Sequence, residues 1–323
     1  MTITRRALLP LLAIPFLPRA ARAQAGWPSR PIRIIVPFAP GSFTDASARL
    51  LGQELTEQLG QQVVVENRGG AGGTLGATAA ARATPDGLTL LLTDNSLAMS
   101  VGLYPTLPYD PLTDLVQVSR IADSPSILLV KPGLGARTVA EVVAMAKAKP
   151  GELSFGSGGQ GSSAHLAMEL LLNVTETRML HIPFRGVAAA IAEVIAGRVD
   201  MAIASLASGV GHVRQGTLLG LGVSGSQRAA ALPNVPTFIE AGVPRYDMSY
   251  WWGVAAPKGT PSDIIARLNA EIRTALGKPR LVEAFAAAGA APVHSTPEQM
   301  QAHLAREVTL WKDVVTRANV RVE

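Results

Sequence analysis

Two short stretches carry the residue types that hold an anion without a metal or a charged side chain. Gly41-Ser42-Phe43-Thr44-Asp45 and Ser157-Gly158-Gly159-Gln160-Gly161-Ser162-Ser163 both combine glycine with hydroxyls. Each follows an apolar run of strand type and opens a stretch with helical spacing. A helix start exposes unpaired N–H groups and a partial positive charge, and glycine lets a ligand approach the backbone closely. Two such starts face to face would hold a carboxylate at each end of a small molecule. Plain helix capping uses the same residue types and accounts for either loop alone; the pair together favours binding.

Other candidates are weaker. Gly69-Gly70-Ala71-Gly72-Gly73-Thr74 offers backbone N–H groups but lacks the Lys-Ser/Thr of a P-loop and the spacing of a dinucleotide fingerprint. Arg185, in His181-Ile182-Pro183-Phe184-Arg185-Gly186, follows an apolar strand. Its guanidinium suits either a carboxylate ligand or a surface ion pair. His165 lies one helical turn beyond the second loop, where a structural role and a ligand contact are equally open. Phe43 either walls a pocket or packs on its neighbours. Trp251 and Trp252 are adjacent, so on a strand they face opposite sides.

Enzyme signatures are absent. Gly222-Val223-Ser224-Gly225-Ser226 misses the nucleophile-elbow pattern at its last residue, and the 5 histidines are scattered. Catalytic groups can be dispersed along a chain, so a hydrolase using Ser162 or Ser163 with His165 stays open as an alternative to binding. The chain has 0 cysteines, which excludes disulfides, thiolate catalysis and cysteine metal sites. No cofactor and no metal site are expected.

The elements that must position these loops follow from periodicity. Ile32–Val36 is a strand closed by Pro37, and Ser42 with Asp45 fits a capping box before Ala48, Leu51, Leu55 and Leu59 at helical spacing. Strands at 63–65 and 88–93 flank an alanine-rich helix at 74–83. This strand–helix alternation predicts a parallel sheet covered on both faces. A second unit begins near Ser126, with strands at 127–130, 153–155, 179–182, 199–203 and 218–223. A helix capped by Thr138 and Glu141 and another at 164–172 lie between them. The last part holds a strand at 251–255 and helices near 261–276, 279–288 and 297–318. Two α/β units with matching loops imply a cleft between them, at the carboxyl ends of the strands.

The N-terminus reads as an export signal: Arg5-Arg6, an apolar run from Ala7 to Leu17, and Ala21-Arg22-Ala23 as a cleavage site. The run is short for a membrane span and contains Pro10 and Pro15. The arginine pair leaves the Sec and twin-arginine routes both open. Cleavage after Ala23 removes four arginines and no acid, taking the net charge from +5 to +1. The high sequence pI therefore gives no support for a nucleic-acid or membrane partner.

Longer segments then become recognisable. SRPIRIIVPFAPGSFTDASARLLGQELTEQLGQQVVVENRGGAGGTLGA, ATPDGLTLLLTDNS, KAKPGELSFGSGGQGSSAHLAMELL, HIPFRGVAAAIAEVIAGRVD and LPNVPTFIEAGVP before WWGVAAPKGTP resemble the receptors of tripartite tricarboxylate transporters, the Bug proteins. The match runs from about Trp27 to the end, in the family's order. It implies a type II, Venus-flytrap periplasmic binding protein that closes on its ligand by hinge motion. On that reading residues 24–123 and 226–323 form one lobe, 124–225 the other, and hinges fall near 122–126 and 222–226. The ligand would be a mono-, di- or tricarboxylate, delivered by a monomeric receptor to a membrane permease; a sensor role stays open.

The resemblance implies contacts from Gly41, Ser42, Phe43, Thr44 and Asp45, and from Ser157, Gly158, Gly161, Ser162 and Ser163, with His165 a candidate from its position alone. Asn95-Ser96 and Arg185-Gly186 are further expected contacts, with Thr74 beside the glycine-rich loop. The chain departs from the family at Phe43, where glycine is usual, which should narrow the cleft or change its ligand. It also carries Ala204-Ser205 where many members hold an acid, which argues against an amino-acid ligand.

Overall fold

The computed structural model describes residues 26–38 and 40–322. The proposed export signal lies outside them. In chain order the elements are β1 (Ile32–Val36), α1 (Phe43–Leu59), β2 (Val63–Asn67), α2 (Thr74–Ala81), β3 (Thr89–Asp94), α3 (Asn95–Leu103), β4 (Leu115–Val130) and α4 (Val139–Ala148). There follow β5 (Ser154–Ser157), α5 (Ser163–Thr175), β6 (Leu180–Pro183), α6 (Val187–Ile195), β7 (Met201–Ser205), α7 (Leu206–Arg214) and β8 (Leu219–Val223). The chain ends with β9 (Ser249–Pro257), α8 (Ser262–Leu276), α9 (Pro279–Ala287), β10 (Ala291–Pro292) and α10 (Pro297–Ala318). No helix among the described residues is long and apolar enough to cross a membrane.

Strand β4 organises the molecule because it serves two sheets. Its first part, Leu115 to Pro125, pairs antiparallel with β9, which pairs with β3 and so with β1 and β2. Its second part, Ser126 to Val130, pairs with β7 and β8, and β7 leads on to β5 and β6. Within each half the strand–helix–strand units are parallel, as the alternation predicts. The strands shared with the crossing chain, β4 and β9, are antiparallel. Only Ile127–Val130 of β4 reads as a strand in the sequence. Its earlier part buries Gln117, Ser119 and Ser124, which breaks the apolar pattern. Ser119 Oγ is satisfied by donating to Ser295 O at 3.1 Å, which is how a polar residue sits in a core strand.

The segment after β8 stays with the second half. Val223 N–H donates to Pro236 O, and Leu232 and Val235 share an apolar cluster with Ile127, Leu129, Ile191 and Val210. The first half is closed by α8, α9 and α10, whose Leu268, Ile272, Phe285, Leu304 and Trp311 are buried in the main core. Capping boxes at Thr138–Glu141 and Thr296–Gln299 fix the starts of α4 and α10.

Candidate functional site

A cleft of about 830 Å³ lies where helix starts from both halves meet. On the first half, Gly41 and Ser42 before α1 and Phe43, Thr44 and Ala46 within it line the cleft, with Phe38, Tyr250, Trp252 and Asp94. Ser42 caps α1 by accepting the Asp45 N–H at 3.1 Å. The capping box expected there is only half formed, because the Asp45 carboxylate accepts from Gly41 N–H at 3.1 Å instead of from Ser42. Arg49 and Asn67 also hold that carboxylate, at 2.9 Å each. Burial alone would raise the Asp45 carboxyl, but these donors outweigh it and keep it below the usual range.

Phe43 is both wall and packing residue. Its ring lies 4.4 Å from Trp252 and 5.4 Å from Phe285, so the cleft has an anchored aromatic shelf. Trp252 donates Nε1–H to Thr44 Oγ1 at 3.0 Å, while Trp251 turns the other way and donates to Glu307. Asp94 caps α3: its Oδ1 accepts Ser96 N–H at 2.9 Å and Ser96 Oγ–H at 2.6 Å, and its Oδ2 lies 3.4 Å from Thr44 Oγ1. Burial without a neighbouring cation pushes this carboxyl up. Tyr250 has a buried hydroxyl with no hydrogen-bond partner among the described residues.

On the second half three helices begin at the cleft. Gly158, Ser162, Ser163 and Ala164 come from the loop and start of α5; Gly186, Val187 and Ala188 from α6; Ser205, Ala207 and Ser208 from α7. Gly186 has φ +103, a conformation that glycine adopts without strain and that turns the chain into α6. Neither α6 nor α7 has a side-chain cap. Behind the loop, the rings of His165 and His181 stack at 3.7 Å, and His181 Nε2 lies 2.6 Å from Ser157 Oγ. Burial, and then the neighbouring His165, push the His181 imidazole down to about 4.

Several expected contacts are placed elsewhere. Ser157 is fully buried, and its hydroxyl serves His181 and the loop backbone. Gly161 gives its N–H to His165 Nδ1 at 3.0 Å, so the His165 ring supports the loop from within and meets neither Ser162 nor Ser163. Asn95 ties Ser249 O, Trp251 N–H and Glu307 together in the interior. Thr74 donates to Ala71 O at 2.8 Å, and Ser96 is turned onto Asp94. None of these, nor Asp45, is among the residues lining the cleft. Arg185 is exposed, forms no ion pair among the described residues, and is likewise not a lining residue. Gly41, Ser42, Phe43, Thr44, Gly158, Ser162, Ser163 and Gly186 do line it.

Sequence reasoning missed Asp94, Tyr250, the α7 start and the α6 side chains Val187, Ile191 and Ile195. The i, i+4, i+8 spacing of that stripe was readable as a helix face, but spacing does not say whether a face meets a core or a cleft. Among the described lining residues there is no lysine or arginine; His212 is the one basic type and Asp94 the one acid. No group of three or more His, Asp or Glu is placed to hold a metal ion among the described residues. What the walls offer is backbone N–H groups, hydroxyls and apolar surface.

Comparison with known proteins agrees with this geometry. The family model for the tripartite tricarboxylate transporter family receptor matches residues 47–320. Protein BugT of Bordetella pertussis is 42% identical over 299 residues, 92% of this chain and 92% of its own. An R. palustris protein solved with adipate superposes with a TM-score of 0.84 at 33% identity, over 92% of this chain and all of that one. MatC of Rhodopseudomonas palustris, solved with bound malate, gives a TM-score of 0.81 at 32% identity, over 90% of this chain and all of that one.

Proposed function

The chain belongs to the tripartite tricarboxylate transporter family of receptors, and from that premise we propose that it is exported and captures a small carboxylate in the cleft for delivery to a membrane permease. Its fold is that of the two-lobed α/β periplasmic binding proteins. The observation that carries the ligand class is the convergence of the starts of α1, α5, α6 and α7 on a cleft whose described lining has no lysine or arginine. In such a cleft a carboxylate is met by backbone N–H groups, helix dipoles and the hydroxyls of Ser162, Ser163, Ser205 and Ser208. The likeness to relatives solved with adipate and malate supports the same class.

We place the lobes on the two sheets, with Pro125 of β4 as one crossing. The second crossing falls near Met248 rather than near 226, because Leu232 and Val235 pack with the second sheet. Closure about these two crossings would bring the helix starts onto the ligand. The receptor acts as a monomer after removal of residues 1–23. Calorimetric titration of the purified mature chain with mono-, di- and tricarboxylates tests the reading. Binding of at least one, with a concentration-dependent rise in Tm, is expected; no heat and no Tm shift across the panel would overturn it.

A further inference from the structure

The two walls of the cleft are not equivalent in charge. The two first-half helix starts beside the cleft already hold a carboxylate: Asp45, ion-paired with Arg49, lies in the first turn of α1, and Asp94, with no ion pair among the described residues, is the cap of α3. The starts of α5, α6 and α7 have no acid in their first turns, and those of α6 and α7 have no side-chain cap. A carboxylate at a helix start neutralises the partial positive charge that would otherwise attract an anionic ligand. The attraction for an anion is therefore concentrated on the second half.

The rest of the first-half wall is apolar or uncharged. The Phe43 and Trp252 rings form a shelf, and Trp252 Nε1–H is already spent on Thr44. Tyr250 adds one neutral hydroxyl, which burial keeps protonated. Beside Asp94 this makes a donor and an acceptor with no positive charge, a setting that suits an uncharged group and repels a second carboxylate. On the second half, Val187, Ile191 and Ile195 of α6 line the cleft as one stripe, with Ile195 40% exposed.

We propose that the ligand is a carboxylate of single negative charge with an apolar body. Its carboxylate sits on the helix starts of the second half, and its body lies between the Phe43–Trp252 shelf and the α6 stripe. This rests on the carboxylate reading above and narrows it. Polycarboxylates are disfavoured because their second charge must face Asp94 with no cation to meet it.

Matched pairs test it: hexanoate against adipate, and benzoate against terephthalate, titrated into the mature chain at pH 8. The monoanion is expected to bind at least about tenfold more tightly in each pair. Asp94→Asn keeps a good helix cap and removes the charge, so it should tighten adipate about threefold or more and narrow the gap between hexanoate and adipate. Adipate and terephthalate binding as tightly as their partners would overturn the inference and leave the carboxylate reading intact. A mono–di gap that Asp94→Asn does not narrow would overturn the part given to Asp94. If hexanoate, benzoate, adipate, malate and citrate all fail to bind, the carboxylate reading falls and the preference falls with it.

Discussion

The first-half and second-half walls of the cleft use one device, a helix that starts where a strand ends, and differ in what stands at the start. In α1 the first-turn Asp45 is buried and held by Arg49, Asn67 and Gly41 N–H. That wall is built to be stable without a ligand. In α6 and α7 the first turns meet the cleft without a cap from the N-cap side chain, and of these first-turn N–H groups that of Ala207 in α7 is given to Ser124 Oγ, at 3.3 Å. That wall has hydrogen-bonding capacity left over, and a ligand carboxylate is the group that uses it. The difference teaches that a glycine- and hydroxyl-rich helix start is not by itself a ligand site; what matters is whether the protein has already supplied the anion.

The comparison is broken most severely by giving the second wall what the first already has. Ser162→Asp keeps a good cap for α5 but puts a carboxylate where the ligand's should lie. Titration should show affinity for any bound carboxylate falling about a hundredfold or more, about 2.7 kcal/mol, with Tm within a few degrees of the parent. Phe43→Ala removes the ring that distinguishes the first wall. Burying such a side chain is worth about 1.5–3 kcal/mol, only part of which a ligand gains. Affinity for hexanoate or benzoate should fall about tenfold, with a small loss of Tm because Phe43 also packs on Phe285.

Acid should weaken the support of the second wall. His181, stacked on His165 behind the loop 157–161, has its pKa pushed down from 6.5 to about 4 by burial and by that neighbour. The unfolded chain therefore takes up the proton first as pH falls. The stability contributed by neutral His181 is complete above pH 6.5 and is lost as pH drops toward 4. Tm should fall by several degrees over that window, and His181→Gln should flatten the slope. His303, on α10 in the first half and also pushed down to about 4, adds a slope of the same sign that remains in that variant. The smallest effect is expected at Arg185. It is exposed and does not line the cleft, so Arg185→Ala should change affinity less than about twofold by the same titration.

Much of this was legible in the sequence. Ser42 and Thr138 mark helix starts because a short hydroxyl before an apolar period has one favourable use. The loops Gly41–Asp45 and Ser157–Ser163 were legible as helix starts for the same reason, and residues of both line the cleft. What the sequence withheld depends on distant partners. His165 resembles a ligand residue until His181, on another strand, is seen stacked against it. Asp94 carries no signal in the sequence, and it joins the cleft because β9 brings Trp252 and Tyr250 to the same wall. The first part of β4 was hidden because Gln117, Ser119 and Ser124 are polar yet buried, and for Ser119 and Ser124 the partners are distant in the chain, Ser295 O and Gly289 O.

The central claim, that the second wall holds the ligand's carboxylate, is tested most directly by a crystal structure of the mature chain with hexanoate. The account predicts carboxylate oxygens about 3 Å from backbone N–H groups at the starts of α5, α6 or α7, with the aliphatic tail against Phe43 and Trp252. A carboxylate seated on the start of α1, with the tail toward α7, would contradict it.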